Sequence, residues 1–472
     1  MLPQCVAAIG GAVAAGPTPA RRGSVVPNFR VPALLGLALA WLVAAAGGGL
    51  AGPGPGEGLI WVTSWAGSAQ GPYPVGYPVA QPDLGYAFPD AEKGAQDQTF
   101  RLEIRPSLWG QATRLRFSNV FGTRPLTIDG VFVAVQASGA VLVPGTTRRV
   151  TFAQGAERIS IAPGRAAWTD AVALPYSTDP LLAGRRMAVS FHIVGQSGPM
   201  TWHAKAMTTS YLSPPRAGAH GEEDSAAAFP FSTTAWYFLD AVDMAAPEGT
   251  EAIVVLGDSL TDGTNSTLNG DDRWPDVLGN RLHAACGNRF AVVNAGIGGN
   301  ELLDPDNYSA EKPYPGGPSA LTRLQRDVLD LSGVASIIWL EGINDYAVNA
   351  DATPDAMRLG MEDLVHQLHA KRLRVIAATL PSALHSPITG HGTTTVDAAR
   401  KAQNAFILHN GGLFDGVIDF DKATLDPTTG ELRAAFLPGS TFGGPGDKLH
   451  PNRAGYQAMG YAVDLRLFCN PK

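Results

Sequence analysis

The chain has 472 residues, of which 45% are hydrophobic and 16% charged, and its net charge is −7. This is a globular composition that excludes a disordered chain, and one core rarely grows past about 250–300 residues, so two domains are expected. Residues 1–51 carry three Arg and no acidic residue, so without them the net charge falls to −10, which leaves no electrostatic footprint for nucleic acid.

The first predicted element is an export leader. Arg21, Arg22 and Arg30 precede an apolar run from Val31 to Gly47, followed by candidate cleavage sites at Ala44-Ala45-Ala46 and Leu50-Ala51. The run is shorter than the roughly 20 apolar residues of a membrane span, which favours a cleaved signal peptide over an uncleaved anchor. No Cys follows it, which argues against a lipid anchor. Residues 1–20 read as an extension and are left out of the fold reasoning. The expected location is secreted or periplasmic, in a bacterial cell, with no stable membrane anchor after cleavage. Cys5 would leave with the leader. Cys286 and Cys469 would remain, as a disulfide or as two buried thiols.

From about 58 to 245 the pattern alternates. Thr99–Arg105, Arg114–Ser118, Leu126–Val135, Arg149–Phe152, Arg158–Ile161 and Met187–Ile193 read as strands with one face on a core and the other in water. Phe121-Gly122, Pro144-Gly145 and Pro163-Gly164 punctuate them. An all-β sandwich, of jelly-roll type, is expected here.

From 250 to 472 the period changes. Near-continuous apolar strands at Ala252–Leu256, Phe290–Asn294, Ala335–Leu340, Val375–Thr379 and Val417–Phe420 alternate with helical stretches near 272–286, 317–331, 354–371, 394–410 and 452–468. Such strands joined by helices predict a five-stranded parallel sheet covered on both faces, hence an α/β domain. Thr353-Pro354 reads as an N-cap followed by Pro at the first helical position.

Ligands bind beyond the carboxyl ends of strands in such sheets. That rule selects four segments: Gly257-Asp258-Ser259-Leu260, Asn294-Ala295-Gly296-Ile297-Gly298-Gly299-Asn300, Gly342-Ile343-Asn344-Asp345 and Asp447-Lys448-Leu449-His450. Taken singly, Ser259 reads equally as an N-cap, Asp447 as a turn residue, Asn344 as a turn residue and His450 as a loop residue. A serine nucleophile needs a base, the base needs a carboxylate, and the oxyanion needs donors. Pro451 fits the first position of the last helix. Asp258, Asp262 and Asp345 read as groups that orient loops. Asp258, Asp262, Asp271 and Asp272 lack the His/Cys company of a metal site, so no metal and no other cofactor is expected.

The four segments, in this order over residues 252–468, resemble the SGNH/GDSL hydrolases, which have a flavodoxin-like fold. The G-x-S-x-G elbow of other hydrolases is absent around Ser259. The resemblance implies Ser259 as nucleophile, His450 as base and Asp447 as its partner. It implies oxyanion donors from the Ser259 amide, the Gly299 amide and the Asn344 side chain, with Gly298 as the competing glycine. Trp61-Val-Thr-Ser-Trp65, with the strands after it, resembles a two-domain bacterial group. Trp65, Trp202 and Trp236 then read either as a sugar-binding face or as packing, and the sandwich as a wall of the cleft. The implied activity is hydrolysis of short-chain esters, small or polymer-borne, including acetylated polysaccharide, aryl esters and polyester ends. A lipase or phospholipase, an acyltransferase, and a carbohydrate-binding protein with a vestigial hydrolase domain are the alternatives.

Overall fold

The change of periodicity along the chain becomes a change of architecture. The computed structural model describes residues 54–177, 180–309, 311–348 and 352–469. The expected leader, with Cys5, lies outside the described residues.

The N-terminal part is built on antiparallel sheets. One runs Leu59–Ala66, Leu239–Pro247, Ala112–Ser118, with Ala166–Trp168 and Val172–Ala173 also on Ala112–Ser118. The other runs Phe231–Thr233, Ser210–Leu212, Gln96–Ile104, Met187–Gln196, Leu126–Ser138, with Arg148–Val150 and Arg158–Ile161 on the last strand. Their inner faces share a core. Phe191 stacks on Phe100 at 5.3 Å within one sheet and meets Phe117 of the other edge-on at 5.0 Å.

The expected solvent face of the 96–104 strand is buried instead. Thr99, Arg101 and Glu103 are all inaccessible. Arg101 sends Nη1 to Ala140 O (2.6 Å), Nη2 to Glu223 O (2.6 Å) and Nε to Ser190 Oγ (3.0 Å). The 213–231 loop folds over that face and its carbonyls take up the guanidinium, so alternation there separates two buried layers.

Trp65, Trp202 and Trp236 belong to the core, at 7%, 2% and 4% exposure. Trp65 and Trp236 meet edge-on at 4.8 Å, and the indoles of Trp202 and Trp236 donate to Val75 O and Glu103 O. These rings therefore serve as packing and do not form an exposed sugar-binding face.

The C-terminal part carries the five parallel strands, in spatial order Phe290–Gly296, Glu251–Gly257, Val334–Leu340, Arg374–Ala378, Gly416–Ile418. Alternate residues feed two cores. Ala252, Val254 and Leu256 pack with the helices Ala320–Leu324, Pro354–Ala370 and Thr394–Leu408. Ile253 and Val255 pack with Trp274–Cys286 and Arg453–Ala462. Thr353 caps the 354–370 helix, its hydroxyl accepting from Ala356 N, with Pro354 at the start. The last helix begins later than expected. Asn452 is its N-cap, accepting from Ala454 and Gly455, so Pro451 precedes the helix rather than opening it. Cys286 and Cys469 are joined, with Cα atoms 6.6 Å apart.

The sandwich and the parallel sheet belong to one compact unit and share a continuous core. Ser107 Oγ accepts from Val292 N on the outer edge of the 290–296 strand, and Thr63 and Ser332 exchange two hydrogen bonds at 2.9 Å. Covering that edge removes a row of unpaired backbone groups. Among the described residues no helix is long and apolar enough to cross a membrane.

Candidate active site

The order of the parallel strands places the first between the second and the third. The chain leaves it to one side and later returns on the other, which opens a crevice at their carboxyl ends. Gly257 pairs with both Gly296 and Leu340 there, so the segments starting at 258, 297 and 341 emerge side by side.

Ser259 opens the short helix Ser259–Asp262. Asp258 caps it, Oδ1 accepting from Leu260 N at 2.8 Å. Gly257 is needed because a Cβ would lie 2.3 Å from Thr261 Oγ1 and 2.6 Å from Leu340 O.

Ser259 Oγ lies 2.7 Å from His450 Nε2. His450 Nδ1 lies 2.7 Å from Asp447 Oδ2. The three-residue spacing has a local cause. Asp447 Oδ1 accepts the amides of Leu449 (3.0 Å) and His450 (2.8 Å), closing a turn that swings the imidazole back onto Oδ2. Asn265 Nδ2 donates to Asp447 Oδ2 (3.2 Å) and to His450 O (3.3 Å). Burial opposes the Asp447 charge, but the His450 contact and the two amides outweigh it and hold this carboxyl far below the usual range.

The second segment forms a tight turn. Asn300 N bonds Ile297 O at 3.1 Å, and Gly299 has φ +80°, the left-handed position a type II turn reserves for glycine. Gly298 N donates to Asp262 Oδ2 at 2.8 Å. The amides of Ser259 and Gly299 have no such partner among the described residues. Asn344, on the helix Ile343–Val348, donates from Nδ2 to Asn300 O at 2.8 Å, and its Oδ1 faces His391 Nε2 at 3.0 Å. Asp345 accepts the amides of Leu302 and Leu303. All five expected site residues, Ser259, Gly299, Asn344, Asp447 and His450, thus meet at one rim. Among the described residues no group of three or more His, Cys, Asp or Glu is arranged to hold a metal.

Three neighbours escaped the sequence reading. His391 sits in a glycine-flanked loop with no motif, yet a proton on its Nε2 fixes which way the Asn344 amide points. Tyr77, from the sandwich half, lays its ring against Gly299, where a Cβ would be 2.5 Å from Tyr77 Cε2. Arg323 is fully buried and clamps the rim from beneath. It donates to Gly257 O (3.0 Å), Ala295 O (2.7 Å), Asn300 Oδ1 (2.7 Å) and Asp327 Oδ2 (3.1 Å). Arg323→Ala removes four buried hydrogen bonds, although Arg326 stays on Asp327 and the Ile297 amide on Gly257 O, and is expected to cost about 3–5 kcal/mol in stability, read as a lower urea midpoint. A loss under about 1 kcal/mol would mean that water replaces the clamp.

Several rim carboxyls are raised above the usual carboxylate range. Burial pushes Asp258 and Glu301 up to about 7 and Asp345 up to about 6. Tyr314 OH donates to Glu301 at 2.5 Å without reversing this. Through these groups the folded protein binds more protons than the unfolded chain between about pH 4 and 7, and the stability they contribute falls as pH rises through that window. Glu301→Gln removes one such group. Its melting temperature relative to wild type is expected to rise from pH 5 to about pH 7 and to level off above it, and a constant difference would contradict this.

The fold and the rim together define a parallel α/β domain with its candidate site at the strand ends. Residues 255–458 match the model of the GDSL-like lipase/acylhydrolase family, and this part of the chain is a domain of that family. No curated protein matches the chain. Solved structures similar to it include a lipase/acylhydrolase from Enterococcus faecalis (24% identity, 47% of this chain and 99% of that one, TM-score 0.35). Others are a carbohydrate acetylesterase from Sinorhizobium meliloti (18%, 45% and 96%, 0.33) and an aryl esterase from M. smegmatis (21%, 45% and 96%, 0.33).

Proposed function

We propose that this protein is an exported serine esterase acting on short-chain carboxylic esters. The observation that carries the reading is the unbroken line from Ser259 Oγ through His450 to Asp447, at 2.7 Å for each step. Ser259 Oγ attacks the ester carbonyl carbon as its proton passes to His450 Nε2. The carbonyl oxygen becomes an oxyanion, met by the Ser259 and Gly299 amides and the second Nδ2 proton of Asn344. Gly299 is favoured over Gly298 because the Gly298 amide is already spent on Asp262. The C–O bond breaks, His450 returns its proton to the leaving alcohol, and an acyl-enzyme remains. Water then adds with His450 again as base, releasing the acid and restoring Ser259.

Short chains are favoured because Tyr77, Asn300 and His391, which border Gly299 and Asn344, offer little aliphatic surface. Export is supported by the basic-flanked apolar run and by the Cys286–Cys469 bond, which needs an oxidising compartment. Acetyl groups on polysaccharide, aryl esters and polyester ends are the candidate substrates. The test is a p-nitrophenyl ester series. Acetate and butyrate are expected to exceed octanoate in kcat/KM by about tenfold or more, an effect of only about 1.4 kcal/mol. A maximum at octanoate or beyond would support a lipase instead, and product ester formed with added alcohol would support an acyltransferase.

A further inference from the structure

The sandwich half reaches into the rim just described. After the strand Thr201–His203, the chain sends His203 and Lys205 across to the short helix that carries Ser259. Both side chains are buried, at 4% and 3% exposure. His203 Nδ1 lies 2.8 Å from Ser68 O, while Nε2 faces Lys205 O at 3.0 Å and Asp262 Oδ1 at 3.1 Å. All these partners are acceptors; burial opposes a charge on the imidazole, but the Asp262 carboxylate beside it outweighs this and raises its pKa. The ring is held flat against Trp236, with centroids 5.4 Å apart. Lys205 Nζ donates to Thr264 Oγ1 at 2.5 Å and stands 4.0 Å from Asp262 Oδ2. It also presses on the turn itself, since a Cβ on Gly298 would come 2.5 Å from Nζ.

Asp262 is the joint. One oxygen takes His203 and the other takes the Gly298 amide at 2.8 Å. Fixing Gly298 fixes the next amide, that of Gly299, and also Asn300 O, which holds the Asn344 side chain. A cavity of about 640 Å³ lies beside the joint, lined in part by Arg105, Trp109, His203, Asp262 and Arg273. Asp262 is buried, and polar bonds hold both of its oxygens.

We propose that the β-sandwich is a working part of the active centre: His203 and Lys205 are positioning residues that, through Asp262, aim the Gly298–Gly299 turn at the oxyanion. This rests on the esterase reading above. A transition state is sensitive to donor position in a way that ground-state binding is not. The effect should therefore fall on kcat rather than KM.

The test uses the full chain and p-nitrophenyl acetate. Lys205→Met and His203→Ala are expected to lower kcat by about 10- to 100-fold with KM within about twofold. His203→Ala also leaves Asp262 Oδ1 without its partner and is expected to lower the melting temperature, so kcat is taken per folded protein at a temperature well below each variant's midpoint. His203→Gln, which keeps a donor for Asp262, should turn over at least about fivefold faster than His203→Ala, a gap of one retained hydrogen bond. Reaction of Ser259 with a fluorophosphonate should slow in parallel, because the phosphonyl oxygen occupies the same donors. Variants that keep wild-type kcat, or whose loss of activity simply follows loss of folded protein with no rescue by Gln, would overturn the proposal. If wild type itself neither hydrolyses the ester nor labels at Ser259, the esterase reading fails instead, and the two failures are told apart by that control.

Discussion

Ser259→Ala is expected to lower kcat on p-nitrophenyl acetate by about 10⁴- to 10⁶-fold while leaving the fold intact. The size follows from losing a mechanism rather than a contact. Without Oγ no acyl-enzyme forms, and His450 has only water to activate at a site shaped for covalent attack. Residual turnover comes from the amide donors alone. The structural cost is small, because Oγ makes one hydrogen bond, to His450 Nε2, and a net bond of this kind is worth about 1 kcal/mol. Thermal melting and steady-state kinetics on the same preparation separate the two effects. Activity within about tenfold of wild type would remove Ser259 from the chemistry and leave the rim without a nucleophile. A wild type inactive on the whole ester series, but retained on polysaccharide, would point to the binding-protein alternative.

The rim was legible because its parts are local. Asp447 and His450 lie within one turn, and that turn is built by the carboxylate they share. Ser259, Gly299 and Asn344 each follow a strand whose continuous apolar run marks it in sequence. The parallel strands read clearly because both faces are buried. What the sequence did not disclose depends on long-range contact. His391 approaches Asn344 across 47 positions and Arg323 reaches Gly257 across 66. His203 meets Asp262 from the other half of the chain. No periodicity announces such meetings. The 96–104 strand misled for a related reason: Arg101 and Glu103 alternate like solvent-facing residues, but a distant loop covers them. Ala320–Leu324 also passes directly into a π-helical turn at Gln325–Leu329, which a steady 3.6-residue pattern cannot reveal.

Asp447→Asn is the more discriminating test of the site, because besides the imidazole proton it alters one contact, the 3.2 Å bond that Oδ2 accepts from Asn265 Nδ2. The variant carbonyl oxygen can still accept the amides of Leu449 and His450, so the turn survives. Its NH₂ then faces His450 Nδ1 and donates where the carboxylate accepted. That donation requires a lone pair on Nδ1 and moves the ring proton to Nε2, the nitrogen beside Ser259 Oγ. A base already protonated at Nε2 cannot take the serine proton, and kcat is expected to fall by about 10⁴-fold at neutral pH. Acid stability gives an independent reading. The wild-type carboxyl is held far below the usual range by His450 and the two amides, against burial. The stability it contributes is present above its unfolded value and is lost as pH falls below about 4. The Asn variant lacks that titration, so its melting temperature should decline less steeply than wild type between pH 4 and pH 2. Equal acid sensitivity together with near-normal kcat would mean that Asp447 only shapes the turn, and that some other group orients His450.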